Sequence, residues 1–202
     1  MTQEIRQRIH SALDRFEIEL PSWGFADTGT RFGKFLQDGA AIDMADKLAD
    51  AGEVHKLTGC CPKVAAHVLW DFQEGDDPVA VAELASKYGV KIGSINPNLF
   101  QDQEYRLGSL CNPDSEVREQ ACRHVEDSIK LGQSLGSKVV TLWLADGTNY
   151  PGQGSIRARK QLLEGALEGF HSELSEEQTF LIEYKPFEPA FYHTDIADWG
   201  MS

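Results

Sequence analysis

Glu183 and Lys185 stand two residues apart at the end of an apolar run, inside the stretch "FLIEYKPFEPAFYH" at 180–193. Side chains alternate along a strand, so positions two apart share a face. A glutamate there offers hard oxygen donors to a divalent cation. A lysine beside it can hydrogen-bond a substrate oxygen and stabilise charge on it. An ordinary ion pair at a strand end would use the same two residues, and the pattern alone leaves both readings open. His67 lies within an apolar run, Lys63 to Trp70, where a histidine is either a hydrogen-bonded core residue or a pocket ligand. Alternation sets Trp70 on the face opposite His67 unless the strand end twists. Trp143 could wall a pocket or fill the core. His193 and Asp195 follow a proline-rich turn and have no orientation from sequence. His10, His55, His124 and His171 fall on helices or loops without an arguable partner.

The elements that must carry these residues alternate. Ile5, Ile9, Leu13 and Phe16 are spaced for one face of a helix, which Leu20-Pro21-Ser22-Trp23-Gly24 stops. Residues 24–39 read as a loop. A second helix runs through Ala41, Ala45 and Leu48 and ends near Gly52. The strand Lys63–Trp70 follows. Asp77-Pro78 opens the next helix as N-cap and first helical residue, and Gly89 closes it. Val90–Asn96 is a short strand. Asn112-Pro113-Asp114 opens another helix, with Val117, Ala121, Val125 and Ile129 on its buried side and Gly136 at its end. Lys138–Leu144 is the third strand, Ser155 caps a further helix, and Phe180–Tyr184 is the fourth. This order predicts right-handed crossovers and a parallel sheet covered on both faces. An open doubly wound sheet and a (β/α) barrel both satisfy it. Both place functional residues at the carboxyl ends of strands. The polar residues there are His67 and Asp71, Asn96 and Asn98, Asp146 and Asn149, and Glu183 and Lys185.

The bulk properties narrow the chemistry. A chain of 202 residues with 41% hydrophobic content can bury one domain-sized core. Its net charge of −13 disfavours nucleic-acid backbones and anionic membranes and suits small neutral substrates or cations, although acidic surfaces also serve solubility. Cys60, Cys61, Cys111 and Cys122 form no CxxC pair and read as reduced thiols of a cytoplasmic protein. No run reaches the roughly 18 apolar residues of a membrane span. No GxGxxG or GxxxxGK[ST] follows a strand, so nucleotide binding lacks its usual signal.

Several literal stretches go further: "LPSWGFADTGTRF" at 20–32, "HVLWDF" at 67–72, "GSINPNLF" at 93–100, "TLWLADGTNYPGQ" at 141–153, and the segment quoted first. Together they resemble the bacterial L-rhamnose isomerase family, in its broad-specificity branch, within the xylose-isomerase-like barrels. The resemblance runs from about Leu20 onward. It implies a (β/α)8 TIM barrel, a homotetramer and a divalent metal pair, usually manganese, alternatively cobalt or zinc. It implies aldose–ketose isomerisation, with L-rhamnose to L-rhamnulose as the leading reaction. Matched residue by residue, Glu183 corresponds to a metal-binding carboxylate, and Lys185 to a lysine near the reacting substrate oxygens. His67 corresponds to a histidine on the sugar oxygens that assists ring opening. Trp70 and Trp143 correspond to aromatic walls of the sugar pocket.

A complete barrel needs eight strands and about 250 residues. The sequence reading finds four strands here. The expected organisation is therefore a helical extension and loop over 1–56, then the first four β/α units of a barrel over 57–202. The family's remaining metal ligands would lie beyond Ser202, and this chain alone is expected to be an inactive part that associates through unpaired sheet edges. A related barrel epimerase or metal hydrolase, and a non-catalytic sugar-binding or oligomerisation module, are the competing readings.

Overall fold

The computed structural model describes residues 2–27, 29–30, 33–72, 75–144, 154–185, 196, 198–200 and 202. Helix α1 spans Gln3–Leu13 and buries none of its residues, so the stripe of Ile5, Ile9 and Leu13 is exposed. Strand β1 is Glu19–Pro21, and a single 3-10 turn, Ser22–Gly24, follows it. The two-residue strands β2 (Gly29–Thr30) and β3 (Gly33–Lys34) pair with each other. Then come α2 (Met44–Thr58), β4 (Lys63–His67), α3 (Pro78–Lys87), β5 (Lys91–Asn96), α4 (Ser115–Leu135), β6 (Val139–Leu144), α5 (Ile156–Glu173) and β7 (Thr179–Tyr184).

Helix starts follow the local chemistry read from sequence. The Asp77 carboxylate accepts from the Val79 amide at 2.9 Å, the Asp114 carboxylate from Glu116 at 2.9 Å, and the Ser155 hydroxyl from Ala158 at 3.2 Å. Helix α2 departs from expectation, because it continues through Gly52 to Thr58. Glycine is there for close packing: a Cβ on it would lie 2.6 Å from the Tyr88 carbonyl at the end of α3.

The main sheet has five strands in the order β1-β4-β5-β6-β7, each pairing parallel to its neighbour. The architecture is α/β, a parallel sheet consistent with part of a (β/α)8 barrel. The sequence reading found four of these strands and missed β1. Pro21 suggested a break, but an edge strand tolerates a residue that has no N–H to donate. Among the described residues β1 pairs with β4, through Glu19↔Lys63, Leu20↔Val64 and Pro21↔Ala65.

One sheet face carries the core. Val64, Ala66, Ile92 and Ile95 pack with Leu48 and Ala51 of α2 and Ala85 of α3. Val140, Leu142 and Leu144 pack with Ala121, Val125 and Ile129 of α4 and with Leu163 and Phe170 of α5. Alternation then turns Glu19, Ala65, His67, Trp143 and Glu183 to the other face.

A register shift between β4 and β5, bracketed by Val64↔Ile92 and Ala66↔Ile95, interrupts the ladder. It frees the Ser94 amide, which donates to the Glu19 carboxylate reaching over from β1. That reach crosses Gly93, where a Cβ would overlap the carboxylate.

Candidate functional site

Strand β4 ends at His67, earlier than the sequence suggested, and the chain turns at once. The His67 carbonyl accepts from the Trp70 amide at 3.1 Å and from the Asp71 amide at 2.9 Å. Leu69, at the turn's centre, has φ of 75°, a left-handed conformation costly for a branched side chain and kept where surroundings impose it. The turn brings Trp70 back over His67: their rings stack with centroids 3.7 Å apart and planes at 21°. The ambiguity about their faces is thus resolved by a turn. The two residues share one surface.

Further rings extend this surface. Trp23 stands edge-on to His67 at 5.6 Å and to Trp70 at 6.2 Å. Phe100 lies 5.7 Å from His67, 6.1 Å from Trp70 and 4.9 Å from Trp143, edge-on each time. Trp143 is in register with Glu183 on β7, and Lys185 follows two residues later. His67, Trp70 and Trp143 thus share a surface at the carboxyl ends of β4 and β6, with Glu183 beside Trp143 on β7 and Lys185 just past that strand's end. The Trp70 indole N–H donates to the Gln101 side-chain oxygen at 2.6 Å, and the Asn98 side-chain NH2 (Nδ2) donates to the same oxygen.

Sequence reading missed Trp23, Phe100 and Gln101 as members of this wall. Two of them lay inside motifs it had quoted, "PSWGF" and "NPNLF", but a loop aromatic carries no periodicity to show its direction.

Not every polar residue at the strand ends faces this surface. Asp71 is buried, accepting from Lys47 Nζ at 2.6 Å, from the His67 amide at 2.6 Å and from the Ser22 hydroxyl. Asn96 donates to the Ala66 carbonyl at 3.0 Å. Asn98 is 2% exposed, and its backbone amide donates to His124 Nε2 at 2.9 Å. Asp71 braces the turn after β4, Asn96 ties the ends of β5 and β4 together, and Asn98 supports Gln101 from behind the wall. Asp146, Asn149, His193 and Asp195 lie outside the described residues.

The electrostatics of His67 follow from its burial. Loss of hydration pushes its pKa down to about 4, and the Val68 carbonyl and the Asp71 carboxylate offset this only in part. Its Nδ1 lies 3.1 Å from the Val68 carbonyl oxygen. A carbonyl only accepts, so Nδ1 carries the proton and Nε2 is left with a lone pair. At neutral pH His67 is thus an uncharged acceptor at Nε2.

Glu183 is exposed on β7, and its carboxylate is the hard oxygen donor of the wall. Among the described residues, no group of three or more His, Cys, Asp or Glu side chains could hold a metal ion. One carboxylate does not make a cation site, so the described residues alone do not fit a resident metal.

The chain is similar to known proteins over most of its length. It is 36% identical over 198 residues to a probable sugar isomerase of Mesorhizobium japonicum, covering 95% of this chain and 45% of the relative. It is 36% identical over 191 residues to a probable sugar isomerase of Rhizobium meliloti, covering 92% of this chain and 44% of the relative. The chain therefore spans a little under half the length of these two curated relatives. No family model matches it. Among solved structures, a D-allulose 3-epimerase from Methylomonas sp. superposes with a TM-score of 0.61 at 13% identity, over 93% of this chain and 56% of that one. At that identity the likeness establishes the fold alone. Among the described residues, no helix is long and apolar enough to cross a membrane.

Proposed function

We propose that this chain supplies the sugar-binding wall of a metal-dependent aldose–ketose isomerase that converts L-rhamnose to L-rhamnulose. The observation that carries the reading is the aromatic arc Trp23–His67–Trp70–Phe100–Trp143, which leads to Glu183 and Lys185 at the strand ends. Sugar-binding surfaces pair flat apolar rings with a few directed polar groups, and this arc has that composition. The similarity to probable sugar isomerases over nearly the whole chain supports the same class.

Each residue has a defined task in this reading. Trp70, Phe100 and Trp143 contact the apolar face of the sugar and exclude water, which strengthens every polar interaction beside them. His67 accepts a hydrogen bond at Nε2 from a sugar hydroxyl and so favours the open chain. Lys185 donates to the oxygen on which negative charge develops as hydrogen moves between C1 and C2. Glu183 is one ligand of the divalent cation, manganese first and cobalt or zinc as alternatives. The remaining ligands lie outside the described residues. The working protein is a cytoplasmic homotetramer, and the segment 1–56 is not separate from its barrel part, because β1 joins the sheet and α2 runs across residue 56.

The test is ketose formation from L-rhamnose, read by a colorimetric ketose assay with added manganese, by this chain joined to the remaining part of the Mesorhizobium japonicum relative, because the described residues alone do not fit a metal. Conversion that falls at least about 100-fold in Glu183→Gln and Lys185→Met supports the reading, the size expected for removing a group that stabilises developing charge. A preparation that leaves aldoses untouched but epimerises ketoses at C3 would replace it with the barrel-epimerase reading, which the same fold accommodates equally well.

A further inference from the structure

The buried trio beneath the aromatic arc has no task in sugar contact, yet its geometry converges on the turn that makes the arc. Asp71 uses both carboxylate oxygens. Oδ1 accepts from Lys47 Nζ at 2.6 Å, while Oδ2 accepts from the His67 backbone amide at 2.6 Å and from the Ser22 hydroxyl. The Lys47 and Asp71 side chains are 6% and 0% exposed, and Ser22 is fully buried. The donors come from three places: the turn after β1, helix α2 and the last residue of β4.

A buried ion pair is an expensive way to gain stability, because desolvation of both charges offsets most of their attraction, and apolar packing often does as well. What such a pair does supply is a fixed geometry. Here it clamps the amide of His67, while the carbonyl of His67 receives the amides of Trp70 and Asp71. The five-residue turn is thereby closed at both ends. Its left-handed Leu69 is held in place, and Trp70 has one position, over the His67 ring.

We propose that Asp71, backed by Lys47 and Ser22, is the positioning residue that seats Trp70 on His67 and so fixes the aromatic subsite for the sugar. The kinetic part of this inference rests on the sugar-isomerase reading; the geometric part does not.

Asp71→Asn preserves shape but turns one acceptor oxygen into a donor facing Lys47, Ser22 or the His67 amide. Ser22→Ala is the milder variant and removes one donor. The readout independent of activity is the proton NMR position of the His67 ring, which a tryptophan stacked at 3.7 Å shifts upfield. In Asp71→Asn the ring protons are expected to move downfield toward their positions in Trp70→Ala, with amide signals far from residues 67–71 unchanged. Ser22→Ala shifts them in the same direction by less, and Lys47→Arg retains more of the upfield shift than Lys47→Met. In steady-state kinetics, KM for the aldose rises at least about fivefold while kcat stays within about twofold.

Unchanged His67 ring shifts in folded Asp71→Asn and Ser22→Ala overturn the proposal. If Asp71→Asn does not fold, Ser22→Ala decides the matter alone. If the unmodified fusion with the relative's remaining part converts no sugar, the isomerase reading falls, and the ring shifts of the 202-residue chain still decide whether Asp71 positions the stack.

Discussion

At the scale of single residues, His67 is the group whose state is set most sharply by its surroundings. Its folded pKa of about 4 lies below the usual 6.5 because burial disfavours the charged ring. Between those two values the unfolded chain holds a proton that the folded chain refuses, so stability rises with rising pH over that window. The contribution is full above about pH 6.5, is lost on the way down to about pH 4, and amounts to about 3 kcal/mol. His67→Gln is expected to flatten the acid limb of a denaturation-versus-pH profile, and a limb of equal steepness in the variant would contradict the assignment. The stacked partner makes a separate prediction. On the proposed sugar-isomerase function, Trp70→Ala, which removes the ring over His67, is expected to weaken aldose binding about tenfold, read by calorimetric titration.

At the scale of elements, helix α4 and the bulge between β4 and β5 hold the frame of the site. Ile129 of α4 is fully buried against β6, and Ile129→Ala is expected to cost about 2–5 kcal/mol in urea unfolding, from lost burial and the cavity left behind. The bulge gives a sharper test. Glu19 reaches the Ser94 amide across Gly93, so Gly93→Ala puts a methyl group where the carboxylate lies. Gly93→Ala and Glu19→Ala should each destabilise, and the double variant should cost less than their sum, because removing the carboxylate relieves the overlap. Strict additivity in the cycle would show that Glu19 does not occupy that path.

At the scale of the molecule, the parallel sheet has β1 at one edge and β7 at the other. On β7, Leu181, Ile182 and Tyr184 are 47%, 40% and 38% exposed. Exposed apolar edge strands present unpaired backbone groups to other chains, and charge placed on the edge itself blocks such pairing. The 202-residue polypeptide is expected to self-associate in light scattering, and Leu181→Lys with Tyr184→Lys to shift it toward monomer. A monodisperse monomer before substitution would contradict this.

The amino-acid sequence by itself determined what depends on near neighbours. Asp77, Asp114 and Ser155 cap helices through amides two or three residues away, whereas the core side of β6 was not legible, since Val139 and Trp143 make both of its faces apolar. Residues at the strand ends were legible because alternation and the strand-to-helix order both act locally. Strand β1 was hidden because three residues with a proline carry too little pattern, and only pairing with β4 makes them a strand. The tertiary structure alone decided that Trp70 folds back onto His67, and that Asp71 lies under the wall instead of on it. It also decided that Trp23 and Phe100 join the arc. Those outcomes depend on contacts such as Ser22 with Asp71, 49 residues apart, and Glu19 with Ser94, 75 residues apart. No local periodicity encodes such pairs. They form only when the packed sheet brings distant backbone together and each buried polar group has to find a partner.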